Sequence, residues 1–120
     1  MEIVKKKVKD LTPDEYKKCS SLTLRESGEM QTNLSWYFRE DERDSFVYLI
    51  KDEAKLLAWA LVFPKYAKEV GAFFYVRKTY RRKGLGRALY KTVEKDFKNK
   101  FEIYPHDEVS ENFFDKMEAE

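Results

Sequence analysis

The residues of this sequence that could do chemistry are concentrated in one basic segment that contains two glycines. Residues 81–87 read RRKGLGR, and apolar residues recur at helical spacing from Leu85 onward. The first N–H groups of a helix have no partner inside the helix and attract anions. Gly84 and Gly86 allow the backbone to approach a bulky phosphate because no Cβ stands in the way. The segment therefore predicts an anion site, and its natural ligand is a pyrophosphate.

Other motifs that place glycines before a helix fit this segment less well. A P-loop needs Gly-Lys followed by Ser or Thr, which is absent. A Rossmann fingerprint needs a small residue where Leu89 stands, and it opens a parallel sheet with a second nucleotide-binding half downstream. Only about thirty residues follow Leu89. A solvated charge run that caps a surface helix would explain the cations but not two glycines at this spacing.

The elements that must position this segment follow from hydrophobic periodicity. The run from Thr12 to Glu15 has the pattern of a capping box, with Pro13 suited to the first helical position. Leu85, Leu89 and Val93 share one helical face. The order of elements predicts an α+β domain with a mixed sheet. We expect strands at 2–8, 45–51, 55–63, 70–77 and 101–104, helices after Thr12, over 85–97 and over 109–117, and helical pieces to about residue 40.

Composition narrows the class of protein. A chain of 120 residues, 42% hydrophobic and 38% charged, predicts one soluble globular domain over 1–120. The net charge of +2 is too small to argue for nucleic acid. No apolar run approaches the roughly 18 residues that a membrane helix needs. Cys19 is the single cysteine, which excludes an internal disulfide and a cysteine-based zinc cluster and fits a reducing cytoplasm. We expect Cys19 to be a buried filler, and we expect no metal.

The basic segment closely resembles motif A of the GNAT N-acetyltransferase superfamily, which reads Arg/Gln-x-x-Gly-x-Gly/Ala. Residues 81–86 match this pattern without a gap. The preceding residues 74–80, FYVRKTY, resemble the family's Leu-Tyr-Val-Arg-Pro-x-Tyr. The order of elements from Ser45 onward also agrees, so the resemblance covers roughly two-thirds of the chain. It implies a mixed, mostly antiparallel central sheet flanked by helices.

The resemblance also implies a co-substrate and a reaction. GNAT enzymes transfer acetyl from acetyl-CoA directly to a primary amine, without a metal or a covalent enzyme intermediate. The N–H groups of the turn would bind the pyrophosphate. The pantetheine arm would pair with the strand at 74–76, admitted by a splay between that strand and the one at 101–104. The coenzyme-binding residues implied in this way are Phe74, Tyr75, Val76, Arg81, Arg82, Lys83, Gly84, Leu85, Gly86 and Arg87.

The general base and the general acid are marked less clearly. Family members with a strand glutamate as base place it one residue further along than Glu69, so Glu69 would reach the cleft only through a β-bulge. The tyrosine that usually serves as acid is missing, because its position falls on Phe114 or on Ala119. Tyr104 and His106 are the nearest substitutes. We take Glu69, Tyr104 and His106 as the candidate catalytic residues, against the competing interpretation of an exposed glutamate and a solvated histidine.

Partners remain open at this stage. The sequence ends at Glu120, whereas GNAT domains usually add two strands, so the resemblance implies a fold truncated after its fourth helix. The strand at 101–104 would then be an open edge. A shortened monomer, a homodimer or a partner protein could cover it, and we expect a homodimer. The acceptor could be a small amine, an antibiotic-like molecule, a lysine side chain or a protein N-terminus. An inactive scaffold that binds coenzyme A or a partner protein is the alternative, and a nucleic-acid binder is disfavoured.

Overall fold

A computed structural model describes residues 2–23, 45–64, 70–81, 83–97 and 101–103 of the chain. Within these ranges, five strands and two helices follow one another in the order expected of an α+β domain. Short 3₁₀ turns follow the first strand, at Val8–Asp10, and the fourth strand, at Lys78–Tyr80. The elements are β1 (Glu2–Lys7), α1 (Pro13–Thr23), β2 (Phe46–Asp52), β3 (Lys55–Pro64), β4 (Val70–Val76), α2 (Leu85–Phe97) and β5 (Phe101–Ile103).

The strands form one sheet in the order β1-β2-β3-β4-β5. The first four strands are antiparallel to their neighbours, and β5 pairs parallel to β4. The chain therefore crosses from β4 to β5 through α2, as parallel neighbours require. The expected mixed, mostly antiparallel sheet flanked by helices is confirmed. The helical pieces expected up to residue 40, the final helix at 109–117 and the proposed truncation lie outside the described residues.

Both faces of the sheet are buried, which explains why its central strands read as nearly continuous apolar runs. Along β2, Val47 and Leu49 face one side while Tyr48 and Ile50 face the other. Helix α1 covers the first face and α2 covers the second. Cys19 is fully buried on the α1 side. Burial, followed by the charge of Glu15, raises the pKa of the Cys19 thiol to about 12, so the thiol stays neutral and packs as a small apolar group.

The start of α1 is fixed by reciprocal hydrogen bonds. The N–H of Glu15 donates to Oγ1 of Thr12 over 3.1 Å, and the N–H of Thr12 donates to Oε1 of Glu15 over 3.0 Å. This arrangement is the predicted capping box. Glu15 also accepts from Nζ of Lys6 at 2.8 Å and from Nζ of Lys51 at 2.6 Å. One carboxylate thus joins the helix to β1 and β2, a role that the local pattern did not indicate.

The Glu15 carboxylate is kept ionised by these partners. Its side chain is only 6% exposed, and burial by itself would raise the pKa. The hydrogen bonds from Lys51, Lys6 and the Thr12 N–H outweigh burial and lower the pKa of Glu15 from 4.5 to about 2.

A β-bulge in β3 sets where β4 ends. The β2–β3 register shifts between Ile50 and Lys51, which leaves Leu57 as the additional residue. The carbonyl oxygen of Leu57 accepts from the N–H of Arg77 at 2.8 Å. This bond holds the first residue after β4 against β3, so the bulge fixes the point at which the chain leaves the sheet toward the basic segment.

Replacing Glu15 by Gln should make folding less dependent on pH. Because the pKa is lowered in the folded state, the stabilisation is complete above about pH 4.5 and is lost as the pH falls toward about 2. A shift of this size corresponds to about 3 kcal/mol at most. Urea unfolding between pH 7 and pH 2 should show wild type losing more stability than Glu15→Gln. Glu94→Gln, which removes a surface partner of Lys91 at 3.9 Å, is the matched control, and parallel curves for wild type and Glu15→Gln would contradict the assignment.

Candidate functional site

The basic segment forms a strand–turn–helix junction at one end of the sheet. After β4 the chain makes a 3₁₀ turn, in which the N–H of Tyr80 donates to the carbonyl oxygen of Arg77 at 2.8 Å. The first α-helical hydrogen bond of α2 runs from the N–H of Ala88 to the carbonyl oxygen of Gly84 at 3.0 Å. Gly84 is therefore the N-cap residue. The N–H groups of residues 85–87 have no acceptor within the helix and form its positive end.

Gly84 is favoured at this junction by its backbone conformation. Its φ of +81° lies in the left-handed region, which residues other than glycine rarely adopt. A Cβ added to Gly84 would meet no atom within 4 Å, so packing does not exclude a side chain here. The space beside the turn is open, as a phosphate approaching the backbone would need. Gly86 is buried within the first turn of α2.

The helix is anchored to the sheet by its apolar face. Leu85, Leu89 and Val93 are buried against the strands. The ring of Tyr90 lies 6.3 Å from the ring of Phe74, centre to centre, in a tilted arrangement. These contacts tie the helix to β4, so the N-terminus of α2 has a fixed position relative to the end of that strand.

The cations of the segment have different roles. The Nε–H of Arg81 donates to the carbonyl oxygen of Val76 at 3.0 Å, and its guanidinium lies 5.8 Å from the centre of the Tyr75 ring. Arg81 is half-buried and braces the end of β4. Lys83 and Arg87 are exposed. Sequence spacing placed these residues in one group. In the structure, Arg81 stabilises the end of β4, whereas Lys83 and Arg87 are surface cations. Arg82 lies outside the described residues.

The predicted coenzyme-binding strand offers its main chain. Phe74 and Tyr75 are buried on opposite faces of the sheet, and Val76 is half-buried. Because the N–H of Arg77 points to β3, alternation turns the peptide groups of Val76 and Phe74 toward the β5 side. In the described part of β5, pairing reaches only Val70–Ala72. The side chains of Phe74 and Tyr75 thus pack in the core, and the main chain of β4 forms the edge that faces β5.

One contributor to this end of the sheet was not found from the sequence. Lys55, the first residue of β3, places Nζ 5.3 Å from the centre of the Tyr80 ring. Nζ of Lys83 lies 5.5 Å from the same centre. Lys55 is remote in sequence from the basic segment, so only the β2–β3 hairpin brings it there, and no local motif could have indicated it.

The three candidate catalytic residues, Glu69, Tyr104 and His106, lie outside the described residues, so their roles stay predictions. Within the described ranges, no cluster of His, Cys, Asp or Glu side chains could hold a metal ion. Neither described helix has the length and apolar character needed to cross a membrane.

Comparison with known proteins assigns the chain to a family. The sequence profile of the acetyltransferase (GNAT) family matches residues 8–118. The chain therefore belongs to the acetyltransferase (GNAT) family. No curated protein matches its sequence.

Solved structures share the fold at low sequence identity. A ribosomal-protein-alanine N-acetyltransferase from Brucella melitensis biovar Abortus 2308 superimposes with a TM-score of 0.64 at 11% identity, covering 98% of this chain and 91% of that one. The PaiA N-acetyltransferase from Thermoplasma acidophilum, in complex with coenzyme A, gives 0.65 at 17% identity, with coverage of 97% and 88%. A GNAT family acetyltransferase from Streptococcus pneumoniae TIGR4 gives 0.64 at 18%, with coverage of 99% and 88%. At these identities the likeness establishes the fold.

Substitutions at Gly84 should separate backbone strain from packing. Gly84→Ala should lower the free energy of unfolding by about 1 kcal/mol, because alanine resists a positive φ. Gly84→Asn should cost less, because asparagine tolerates the left-handed region. Urea unfolding of the three proteins measures both effects. An alanine variant as stable as wild type would show that the turn does not need the left-handed conformation.

Proposed function

We propose that this protein is an N-acetyltransferase that binds acetyl-CoA and transfers its acetyl group directly to a primary amine. The observation that carries the proposal is the junction at Gly84, where β4 ends and the positive end of α2 begins beside open space. Membership of the GNAT family and the likeness to N-acetyltransferases of known structure support it.

The pyrophosphate of the coenzyme fits the start of α2. The N–H groups of residues 85–87 have no helical acceptor, and the helix dipole places partial positive charge beside them. The left-handed Gly84 turns the chain so that the helix starts directly after the turn. The exposed cations Lys83 and Arg87 flank this end. Main-chain donors with nearby cations are the groups that hold an anion of high charge density.

The pantetheine arm fits the β5-facing edge of β4. The described pairing with β5 covers Val70 to Ala72, and we infer that the two strands splay apart along the part of β4 that runs on to Val76. The peptide group of Phe74 is turned to this side, and Arg81 occupies the last carbonyl of the edge at Val76. An arm with amide groups would add to the strand as a peptide does in β-augmentation. Its thioester end would then lie along β4, away from the start of α2.

The transfer itself needs proton movements that main-chain groups do not supply. The amine nitrogen must lose a proton to attack the thioester carbon, and the sulfur that leaves when the C–S bond breaks must gain one. We assign Glu69 as the base and Tyr104 or His106 as the acid. In the sequence, Glu69 directly precedes β4, Tyr104 directly follows β5, and His106 stands two residues further on. The acceptor amine is a small molecule or a protein, and a homodimer is the proposed assembly.

A scaffold that binds coenzyme A without turnover is the second candidate. The observation that favours it is the missing tyrosine, since Phe114 has no proton to give. It shares the coenzyme site with the enzyme, so only a measurement of turnover separates the two.

Charge reversal at the turn should weaken coenzyme binding. Lys83→Glu should raise the Kd for acetyl-CoA by about tenfold, roughly 1.4 kcal/mol, because it replaces attraction of the phosphates by repulsion. Lys9→Glu makes the same charge change beyond the end of β1, at the opposite end of the sheet, and should leave the Kd unchanged. Isothermal titration calorimetry measures both. Equal weakening by the two variants would show a general charge effect, and absence of binding by wild type would reject the proposal.

The catalytic assignment predicts slower turnover without weaker coenzyme binding. Glu69→Gln, Tyr104→Phe and His106→Gln should be compared by release of free thiol from acetyl-CoA in the presence of a panel of amines. Loss of a general acid or base should lower kcat by about 10²–10⁴-fold with little change in the Kd for acetyl-CoA. Tyr16→Phe on α1 is the control. A kcat unchanged in all three variants would remove these assignments, and no turnover by wild type with any amine would favour the scaffold.

A further inference from the structure

Two lysines from separate parts of the chain converge on one tyrosine ring. Lys55 begins β3, and Lys83 directly precedes Gly84. Their Nζ atoms lie 5.3 Å and 5.5 Å from the centre of the Tyr80 ring. Tyr80 is half-buried and packs against the core on the α2 side. The ring is therefore held in place by the core, and the flexible parts of this group are the two lysine side chains.

Neither of these two lysines has a carboxylate partner among the described residues, a property that they share with Lys9, Lys17 and Lys95. Five lysines elsewhere form ion pairs: Lys5 with Asp96, Lys6 and Lys51 with Glu15, Lys18 with Asp14, and Lys91 with Glu94. Asp52 and Glu53 precede Lys55 in the chain, yet the ion pairs of the described residues join neither of them to it. Both ammonium groups are exposed and are therefore able to turn toward an anion bound beside Tyr80.

The paired lysines lie at the same end of the sheet as the start of α2. The carbonyl oxygen of Leu57, two residues after Lys55, accepts from the N–H of Arg77, and Ala58 pairs with Val76 at the end of β4. Tyr80 ends the 3₁₀ turn that leads to Gly84. An anion bound by Lys55 and Lys83 would therefore be a neighbour of the pyrophosphate assigned to residues 85–87, and both could belong to one ligand.

We propose that Lys55 and Lys83, which both contact the Tyr80 ring, bind the 3′-phosphate of the coenzyme. The site thereby selects coenzyme A over its 3′-dephospho form. This inference rests on the proposed function. Coenzyme A carries one phosphate on its ribose besides the pyrophosphate, and that phosphate is a compact anion with three terminal oxygens. Two ammonium groups satisfy such an anion without the planar geometry that a guanidinium provides. Lys55 is thereby a specificity residue supplied by the β2–β3 hairpin.

Calorimetric titration with coenzyme A and with 3′-dephospho-coenzyme A tests this assignment. Wild type should bind coenzyme A about tenfold more tightly than the dephospho form, which corresponds to about 1.4 kcal/mol. Lys55→Gln should reduce this ratio to about threefold, because one of the two cations is lost. Lys55→Arg keeps the charge and should retain most of the ratio. Lys9→Gln makes the same net charge change at the other end of the sheet and should leave the ratio at its wild-type value. Raising the salt concentration should reduce the wild-type ratio, since both lysines are solvent-accessible.

Equal affinities of wild type for the two ligands would overturn the inference while leaving the proposed function intact. A tenfold ratio that Lys55→Gln retains would place the 3′-phosphate elsewhere and also overturn it. Failure of wild type to bind either ligand would reject the proposed function and the inference together. A urea midpoint for Lys55→Gln equal to that of wild type, as expected for an exposed residue, would show that a lower ratio does not come from unfolding.

Discussion

The parallel pairing of β5 with β4 is the constraint on which the candidate site depends. Parallel neighbours cannot be joined by a tight turn, so the chain must return along the sheet before β5 begins. Helix α2 makes that return. Its N-terminus consequently stands at the end of β4, and its apolar face must pack on the same strands. The positive end of a helix and the edge of a strand thus meet by topology, and the residues between them need only complete a turn.

The remainder of the sheet keeps that junction in place. The bulge at Leu57 directs a carbonyl to the N–H of Arg77, which fixes the last point at which the chain is held to β3. On the opposite face, the buried carboxylate of Glu15 joins α1 to β1 and β2 through Lys6 and Lys51. A carboxylate removed from water is tolerated because both partners and a backbone N–H satisfy it. The two faces are therefore closed in a similar way, because each combines apolar packing with a carboxylate. Glu15 has this role under α1, and on the other face Asp96 of α2 accepts from the buried Tyr48 hydroxyl at 2.7 Å and pairs with Lys5.

Features that depend on neighbours in sequence were predictable, whereas those that depend on contacts between distant segments were not. The capping box at Thr12 and the start of α2 after Gly84 each arise within four residues, and both were predicted where the structure has them. The bulge at Leu57 results from pairing between β2 and β3, and nothing in either strand alone indicates it. The bond from Arg81 to the Val76 carbonyl likewise depends on how the turn folds back. Strand limits differ by a residue or so, because hydrophobic alternation does not say where the last ladder bond is made.

The same distinction explains how a family can be recognised when almost all residues differ. The proposed pyrophosphate site consists of backbone N–H groups, the left-handed Gly84 and the start of a helix, so it makes few demands on side chains. Structures with 11–18% identity share the fold with this chain, and a site built mostly from main chain would need little more than the fold. Side chains that approach the site from other strands can differ between proteins, because the main-chain part of the site does not depend on them. Lys55, which reaches Tyr80 from the β2–β3 hairpin, belongs to that freer group, and residues of this kind adapt a shared coenzyme site to one protein.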